Sequence, residues 1–575
     1  MPSPRKARAR RSASAHPAAR ARAPLPRARE RLAVALLVAF HVALAVWGAA
    51  RQSVTFDENF HLPAGVLEAA TGELRVSAVN PPLVKALAGA AALAAGARVP
   101  RREDLGDGEQ GRVGAAFMRL NADRYHRVFF AGRLVVIALS ALLALVAWRW
   151  ARRLWGSRGG LLALGFYAFA PEALAHAGVV TMDLPTALGF TFTLFCWQAF
   201  VRAGRWQAWG ASAAGVAFTF LVRFTAVFLP PLMLVLALVE LAARRVRHPV
   251  RVALGFVLLV PGTLLALQAG YLGRTSFEPL SAMPFESASF RALQARWPHA
   301  RLPLPDTWVL GFDRQAVESQ AGRTPSYLLG KVHPEMPLAY FPVALAAKWP
   351  LGFLGALGLL VAYAFARRPR PRRWLWPLAL AALFLGVATF VGRLGIGIRY
   401  VLPVVPALAV SLGALASARA GDGAFWRRAA AALACVQAIE AGAHAPWHLS
   451  FYNAVAGGPA RGQWIVNDSN VDWGQGLIAL RDEMRARGIG RVHLLYHGTT
   501  DPAVYGLDYV PYLGGTPGPE SDWLAISSYF FVGLSQRART RGGRTDVPVR
   551  VDCSALWPRV PDAMPAGCIL LFRIR

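Results

Sequence analysis

The chain has 575 residues, of which 55% are hydrophobic and only 17% charged, and its formal net charge is +31. Soluble domains carry roughly a quarter charged residues, so this composition excludes an ordinary soluble enzyme and a disordered chain. It indicates a protein that crosses a membrane several times. The basic residues are almost all arginine, because Lys6, Lys85, Lys331 and Lys348 are the only lysines.

Apolar runs that approach the length of a membrane span recur along the chain. A helix needs about 20 apolar residues to cross the hydrocarbon core of a bilayer. About 11 runs meet or approach this length, near residues 32–50, 128–147, 160–177, 183–201, 207–222, 224–243, 252–271, 339–366, 374–391, 400–417 and 427–445. The shorter Ala-rich stretch 81–96 is interpreted as a helix in or near the membrane interface. The predicted fold class is a polytopic α-helical membrane protein.

The arginines predict how the chain is oriented. Cytoplasmic loops attract Lys and Arg, and the segment 1–31 is a strongly basic tail. With 11 spans, the basic segments fall on the same side as this tail; they are 149–158, 202–205, 244–251, 367–373 and 419–428. Most acidic residues fall on the other side. We therefore expect a multi-pass inner-membrane protein with a cytoplasmic N-terminus and a transmembrane domain 32–445, whose outer loops are 51–127 and 272–338.

Residues 446–575 are predicted to form a small extracytoplasmic α/β domain. Helical periodicity covers 473–488, and short apolar runs typical of buried strands cover 492–496, 523–528 and 568–574. Cys553 and Cys568 fall in this domain, where an oxidising compartment permits a disulfide. Pairing of these two cysteines and two free thiols both remain open from the sequence.

The first candidate site follows the first span, in Thr55-Phe-Asp-Glu-Asn-Phe-His61. Two adjacent carboxylates and a histidine at a membrane surface suit proton abstraction or metal binding. Asp57 and Glu58 are the predicted catalytic residues, and His61 beside them is a candidate to contact a substrate or a metal. The alternative is structural: the aspartate caps a helix and the glutamate faces water.

A second carboxylate, Asp183, stands at the head of the fourth predicted span, just before Pro185. Stabilisation by the helix dipole is the structural alternative there. The topology, however, places Asp57, Glu58 and Asp183 at the same membrane face. Oxygen ligands of this kind favour Mg²⁺ or Mn²⁺ over zinc, so Asp183 is also a candidate metal ligand.

Several cations lie on the predicted outer side, although Lys and Arg prefer cytoplasmic loops. Lys331, Lys348 and Arg399 are candidates to bind the phosphate of an anionic lipid. Arg393 is better explained by a side chain that reaches the interface. Arg223, between two apolar runs, is a weaker phosphate candidate.

Several nucleotide and metal motifs do not occur in the sequence. It contains no phosphate-binding Gly-rich loop ending in Lys-Ser or Lys-Thr, no Gly-x-Gly-x-x-Gly after a strand and no His-Glu-x-x-His. We therefore expect no nucleotide cofactor. The segment Asp468-Ser-Asn-Val-Asp-Trp-Gly474 lacks the turn glycine and the glutamate of a calcium loop, and it is interpreted as Asx turns that cap the following helix.

Together, several motifs resemble the GT-C fold glycosyltransferases, above all the protein O-mannosyltransferases and the lipid A aminoarabinose transferase (glycosyltransferase family 39). The motifs are Asp57-Glu58, Asn80-Pro-Pro-Leu83, Asp183-Leu-Pro185, Ala347-Lys-Trp-Pro350 and Arg399-Tyr-Val-Leu-Pro403. The likeness covers about residues 30–450. Residues 468–475 and the predicted C-terminal domain resemble the tail of many uncharacterised bacterial members.

The resemblance implies an enzyme that transfers a hexose or pentose from a polyprenyl-phosphate donor to a hydroxyl of a lipid, polysaccharide or protein in the cell envelope. By the same resemblance, Asp57 matches the catalytic carboxylate, Glu58 the second member of the acidic pair and Asp183 the acid near metal or acceptor. Lys348 and Arg399 match lipid-phosphate positions. Relatives often carry lysine where Arg223 stands, so that position departs from the pattern.

Two other functions compete with this prediction. A secondary transporter or flippase of a glycolipid or small solute is the first, although transporters place polar sites near the bilayer midplane and commonly contain inverted repeats. The second is an envelope scaffold whose charge binds anionic lipids or nucleic acid. Lipid attraction or topogenesis explains the basic tail without nucleic acid, so no nucleic-acid partner is expected.

Overall fold

A computed structural model describes residues 26–105, 109–320, 325–367, 371–417, 423–539, 546–549 and 551–575. Most of the predicted basic tail, and parts of the basic segments 367–373 and 419–428, lie outside the described residues. The α-helices, α1 to α20 in chain order, are Arg27–Arg51, Glu58–Thr71, Leu83–Ala94, Gln110–Leu120, Tyr125–Ala168, Pro171–Ala177, Asp183–Ala203, Trp206–Phe220, Leu229–Ala242, Pro249–Gly270, Ala288–Arg296, Asp306–Gln320, Tyr340–Lys348, Leu351–Arg367, Leu375–Gly386, Val404–Leu412, Gly423–Ala443, Gly458–Gly462, Leu477–Ala486 and Ser528–Phe531. The strands, β1 to β8, are Ser326–Leu328, Lys331–His333, Val492–Leu495, Tyr509–Pro511, Trp523–Ser527, Gln536–Arg539, Asp546–Val549 and Ile569–Arg573.

Several helices have the length and composition of membrane spans, as expected for a multi-pass membrane protein. Among the described residues, six helical segments qualify, and a seventh arises if α13 and α14 are counted as one broken span with a bend of 114°. The predicted number of 11 spans is not confirmed. The run 339–366, predicted as one span, bends between its two helices, where Pro350 holds Trp349 in an extended conformation. The run 207–222 contributes the 15-residue α8.

Helix α5 folds back on itself at Gly156. The backbone there has φ +82°, a left-handed conformation that glycine adopts readily. The hydroxyls of Ser140 and Tyr167 lie 3.0 Å apart, although 27 residues of straight helix would separate them by about 40 Å. The predicted spans 128–147 and 160–177 are therefore antiparallel neighbours for most of their length.

The basic loops gather at one end of the helical region. Glu30 in the first turn of α1 accepts a 2.6 Å bond from Nε of Arg152, which lies just before the reversal of α5. Nη1 of Arg373 donates to the carbonyl of Leu154 at 3.1 Å, so the loop before α15 reaches the same reversal. Loops that are far apart in sequence thus share this end of the bundle.

Helix α7 connects this basic end to the opposite end. Near its C-terminus, Arg202 pairs with Glu240 at 2.8 Å, and Glu240 also accepts a 2.9 Å bond from Trp376. The N-terminus of α7 is Asp183, 19 residues before Arg202. At 1.5 Å per residue this distance is about 30 Å, which is the thickness of the hydrocarbon core.

Helices α2 and α3 pack across each other beside the end that carries Asp183. A Cβ on Gly65 would collide with the backbone carbonyl of Lys85, and a Cβ on Gly89 would collide with the backbone of Gly65. The Lys85 ammonium pairs with Glu68 at 2.7 Å in a buried contact. With 12 residues, α3 is too short to span a bilayer. This length agrees with the interfacial helix predicted for residues 81–96.

The C-terminal part contains a four-stranded mixed sheet with the order β4-β3-β5-β8. Strand β3 is parallel to both β4 and β5, and β8 is antiparallel to β5. Strands β3, β5 and β8 and helix α19 coincide with the predicted elements. The sheet region packs on the helices, for example where the amide of Val54 donates to the hydroxyl of Tyr505 at 2.9 Å. Cys553 and Cys568 are both buried free thiols in this structure.

Candidate active site

Arg399 joins two of the predicted acidic residues. Its Nη1 donates to Oδ2 of Asp57 at 2.6 Å and lies 3.8 Å from Oδ2 of Asp183. Asp57 and Arg399 are 342 residues apart in the chain. We call Asp57, Asp183, Arg223 and Arg399 the acid–arginine cluster. The structure thus brings two of the three predicted carboxylates, Asp57 and Asp183, to one end of the bundle around the guanidinium group of Arg399.

Each acidic residue of the cluster stands at the start of a helix. Asp57 is the residue before α2, but its side chain makes no capping hydrogen bond and accepts one from Arg399 instead. About 24% of the Asp57 side chain is exposed, so a second molecule can reach this carboxylate. Asp183 is the first residue of α7, where the helix dipole stabilises negative charge. Capping therefore does not explain the side chain of Asp57.

Arg223 and two aromatic rings complete the cluster. Nη1 of Arg223 donates to Oδ1 of Asp183. The guanidinium carbon of Arg399 lies 4.3 Å from the ring centre of Trp473 and 5.2 Å from that of Tyr400. Burial by itself would lower the pKa of Arg399, but Asp57, Tyr400 and Asp183 outweigh it and hold this pKa above its usual range. Arg399 therefore stays charged.

Glu58 belongs to a separate, fully buried ion pair. Its two oxygens accept bonds of 2.8 and 2.7 Å from Nε and Nη2 of Arg133. They also accept from the amide and hydroxyl of Thr55 and from the amide of Val180. Burial favours a raised pKa for Glu58, but Arg133 and these amides hold it below its usual value. The catalytic role of Glu58 stays a prediction, while its saturated oxygens favour a positioning role.

His61 is buried in the first turn of α2 and faces the segment that precedes α7. Its Nδ1 lies 3.0 Å from the carbonyl of Val180, and its Nε2 lies 3.4 Å from the side-chain nitrogen of Asn80. Burial lowers the pKa of His61 and so favours the neutral ring, in which Nδ1 donates and Nε2 accepts. These bonds use both ring nitrogens. The predicted contact of His61 with an acceptor or metal stays a prediction.

Lys348 is buried at the break between α13 and α14. Its Nζ donates to the carbonyls of Leu449 at 3.0 Å and Asn470 at 2.5 Å, and it lies 4.5 Å from the ring centre of Tyr452. The cavity beside it has a volume of about 10 Å³, which holds a water molecule and not a phosphate group. The phosphate role predicted for Lys348 stays a prediction, while these buried bonds favour a structural role.

Lys331 is exposed on β2, which pairs with the buried strand β1 in a hairpin. This hairpin adjoins the C-terminal part, since the amide of Leu329 donates to the carbonyl of Ile465 at 2.8 Å. No contact joins Lys331 to the acid–arginine cluster within the part of the chain that the structure describes. Its phosphate role stays a prediction.

The cluster does not fit a divalent cation as it is arranged here. Arg223 and Arg399 take up oxygens of Asp183 and Asp57, which are the candidate metal ligands. Among the described ranges, no group of three or more His, Cys, Asp and Glu side chains is placed to hold a metal ion. We therefore assign no step to a metal.

Sequence reasoning missed Arg133, the partner of Glu58. The available signal was an arginine within the apolar run 128–147, since a charge in a membrane span usually has a buried partner. It also missed Ser469, Asn470 and Trp473, which contact the loop of Arg399. The segment 468–475 was noted in the sequence, but its contact with this loop was not predicted, because the partners lie more than 70 residues away in the chain.

The fold and the cluster define a multi-pass helical membrane protein with paired acids and arginines at one end of its helical bundle. Residues 111–264, a little over a quarter of the chain, match the family described as dolichyl-phosphate-mannose-protein mannosyltransferase. The predicted resemblance to this glycosyltransferase family is confirmed over that segment, which contains Asp183 and Arg223 but neither Asp57 nor Arg399. No curated protein matches the chain.

Solved structures of two glycosyltransferases are similar to this chain. ArnT from Cupriavidus metallidurans bound to undecaprenyl phosphate has 15% identity and a TM-score of 0.47, with 94% of this chain and 97% of that chain covered. The Archaeoglobus fulgidus oligosaccharyltransferase tethered with an acceptor peptide has 12% identity and a TM-score of 0.44, with 72% and 55% covered. The same oligosaccharyltransferase in complex with Zn and sulfate has 12% identity and a TM-score of 0.42, with 93% and 74% covered.

Proposed function

We propose that this protein is a membrane glycosyltransferase that moves a sugar from a polyprenyl-phosphate carrier to an acceptor hydroxyl. The observation that carries the proposal is the position of Arg399, which contacts Asp57 and approaches Asp183. Arg223, the partner of Asp183, lines an adjoining apolar groove. The family match over residues 111–264 supports transfer of a lipid-linked sugar. The cluster and the groove together offer a carboxylate for the acceptor proton, a guanidinium group for the phosphate and apolar walls for an isoprenoid chain.

The groove consists of two adjoining cavities. The larger has a volume of about 560 Å³ and is lined mainly by apolar side chains, among them Phe228, Phe312 and Val391. The smaller, of about 110 Å³, shares several lining residues with the larger one and reaches Arg223 and Tyr400. An isoprenoid chain in this groove would place its phosphate beside Arg223, the partner of Asp183.

Arg223 and Arg399 would bind the phosphate of the carrier. Arginine forms charge-assisted hydrogen bonds with phosphate oxygens through its planar fork of donors. Nε of Arg399 is buried and has no hydrogen-bond partner among the described residues, so this donor is available to a ligand. The buried guanidinium of Arg399 would stabilise the charge that grows on the departing phosphate.

Asp57 would act as the general base. The acceptor oxygen attacks the anomeric carbon as the bond from that carbon to the phosphate oxygen breaks, and the electron pair of this bond stays on the phosphate. The acceptor proton passes to Asp57. A single displacement of this kind inverts the configuration at the anomeric carbon. Asp57 has the accessible carboxylate that this role needs, whereas the oxygens of Glu58 are saturated.

The proposed location of the reaction is the extracytoplasmic face of the inner membrane. The basic loops that meet near Glu30 and Arg152 lie at the opposite end of α7 from Asp183. By the preference of Lys and Arg for the cytoplasmic side, the N-terminus is cytoplasmic and the acid–arginine cluster faces outward. The C-terminal sheet would then be extracytoplasmic, and the acceptor would be a lipid, polysaccharide or protein of the envelope.

The proposal is tested with the full-length protein in liposomes that contain radiolabelled polyprenyl-phosphate sugars and an envelope extract as acceptor. Asp57→Asn keeps the shape of the side chain and removes the base, and we expect transfer to fall at least about 100-fold. Asp508→Asn, in an exposed ion pair far along the chain, is the control and should leave transfer unchanged. An arm with EDTA measures any dependence on a divalent cation.

Two results would overturn the proposal. One is transfer by Asp57→Asn at nearly the wild-type rate. The other is uptake of a labelled solute or glycolipid by the liposomes without any covalent product, which is the behaviour of the competing transporter.

A further inference from the structure

One segment of the C-terminal part contacts both loops that carry the Asp57–Arg399 ion pair. It comprises residues 468–475, Asp-Ser-Asn-Val-Asp-Trp-Gly-Gln, and we call it the strap. The sequence predicted Asx turns here and a resemblance to the tail of bacterial family members, but no contact with Asp57 or Arg399. In the structure the strap lies between the loop before α2 and the loop before α16.

Three contacts join the strap to the loop that carries Arg399. The hydroxyl of Ser469 donates to the carbonyl of Ile396. The amide of Ile398 donates to Oδ1 of Asn470 at 3.0 Å. The ring of Trp473 lies against the guanidinium group of Arg399, with 4.3 Å between the guanidinium carbon and the ring centre. These contacts fix the backbone on one side of Arg399 and one face of its side chain.

Three further contacts join the strap to the loop that carries Asp57. The amide of Phe56 donates to the carbonyl of Trp473 at 2.8 Å. The amide of Ser53 donates to the carbonyl of Gln475 at 3.1 Å, and the hydroxyl of Ser53 donates to the carbonyl of Gly474 at 2.8 Å. The residue immediately before Asp57 is therefore bonded to the residue whose ring supports Arg399.

The strap is itself held in place by buried polar groups. The side-chain nitrogen of Asn470 donates to the hydroxyl of Tyr340 at 2.8 Å, and Nζ of Lys348 donates to the carbonyl of Asn470 at 2.5 Å. A side chain at position 397 would collide with the hydroxyl of Ser469, so Gly397 permits the close approach. Lys348 thus holds the strap through the carbonyl of Asn470.

From these contacts we infer that the strap is a positioning element, which sets the guanidinium group of Arg399 against the carboxylate of Asp57. Asn470 and Trp473 are its principal positioning residues. The inference rests on the proposed function for its catalytic consequence, but the alignment of the two loops follows from the contacts alone. Asp57 precedes the first turn of α2, and Arg399 lies in a single 3-10 turn, Ile398–Val401. A group outside a long helix or strand needs such support to keep its geometry.

Hydrogen exchange of the full-length protein in nanodiscs tests the alignment without any assumption about activity. In Asn470→Ala the amide of Ile398 loses its acceptor, and we expect exchange in a peptide covering 394–402 to become at least tenfold faster. Trp464→Leu is the matched control, because Trp464 packs on Phe531 and Trp557 and not on Arg399. It should leave this peptide unchanged. Unchanged exchange in Asn470→Ala would overturn the inference, whatever the protein catalyses.

A second experiment tests the catalytic consequence. It measures the affinity for undecaprenyl phosphate and the kcat of sugar transfer. Trp473→Leu removes the ring under Arg399 and keeps the backbone bonds, so we expect a tenfold or larger loss of affinity or kcat. Trp473→Phe restores an aromatic face and should remain within about threefold of wild type, as should Trp464→Leu.

The possible outcomes separate the two proposals. Equal activity of the leucine and phenylalanine variants at position 473 would overturn the positioning role. If wild-type protein neither binds the probe nor transfers sugar, but exchange in Asn470→Ala is faster as expected, the proposed function fails and the alignment of the loops by the strap is supported.

Discussion

Replacement of Glu58 by glutamine tests whether this residue acts in chemistry or in folding. Glu58 accepts five hydrogen bonds, two of them from Arg133, and neither side chain is exposed to solvent. Glutamine keeps the shape but leaves the charge of Arg133 buried without a counter-charge. Breaking a buried ion pair in this way costs about 3 to 5 kcal/mol. We expect a large loss of stability in Glu58→Gln.

The assay is thermal unfolding of purified protein in detergent, measured between pH 4 and pH 8. Arg133 holds the pKa of Glu58 below its usual value of 4.5. The contribution of the pair is therefore complete above about pH 4.5 and is lost as the pH falls through the lowered pKa of the folded state. The gap between wild type and Glu58→Gln should narrow at the acid end. Asp508→Asn, which breaks an exposed pair with Arg491, should cost less than about 1 kcal/mol.

One result would refute this reasoning. If Glu58→Gln unfolds at the wild-type temperature across the whole pH range and yet loses sugar transfer, then Glu58 takes part in the reaction, as the sequence first suggested. If it loses stability while the folded fraction retains its specific activity, the positioning role stands.

The remaining predictions concern packing, charge and the groove. Gly65→Ala should lower the unfolding temperature by several degrees, because its Cβ would meet the carbonyl of Lys85. The control Gly358→Ala lies in open space on α14 and should leave the unfolding temperature unchanged or higher. Equal shifts in the two variants would contradict the close crossing of α2 and α3. Burial raises the pKa of Asp468 to about 7. Ionisation of Asp468 in the folded protein therefore costs more stability as the pH rises from 4 to 7. Thermal unfolding of Asp468→Asn should show a gain in stability over wild type that grows across this range and then levels off. Thr225→Trp, at a residue that lines both cavities, should weaken binding of undecaprenyl phosphate at least tenfold in a nanodisc assay, and wild-type affinity would show that the groove is not the site of the lipid.

Much of the membrane architecture could be predicted because it depends on local composition. Apolar runs and the spacing of arginines predicted where the long helices lie and which loops are basic. The exact number of spans could not be obtained in this way. A glycine at position 156 reverses α5, and Pro350 breaks the run 339–366, and both effects depend on a few residues inside runs of ordinary apolar composition.

The candidate site was predicted unevenly, for a physical reason. Asp57, Asp183 and Arg399 stood out because charged residues at the ends of apolar runs are costly and few, and the structure brings these three together. Lys348 stood out for the same reason, but the structure buries it against carbonyls of the C-terminal part. A sequence shows that a buried charge needs a partner, but it does not show which partner.

The sequence by itself therefore determined that this is a multi-pass membrane protein and predicted most of its acids opposite its basic loops, because hydropathy and charge act on each segment separately. Only the tertiary structure decided the pairing of those charges: Glu58 with Arg133, Asp183 with Arg223, and Asp57 with Arg399. Ion pairs depend on distances of a few ångströms between residues tens to hundreds of positions apart, and those distances exist only once the helices and the strap are packed.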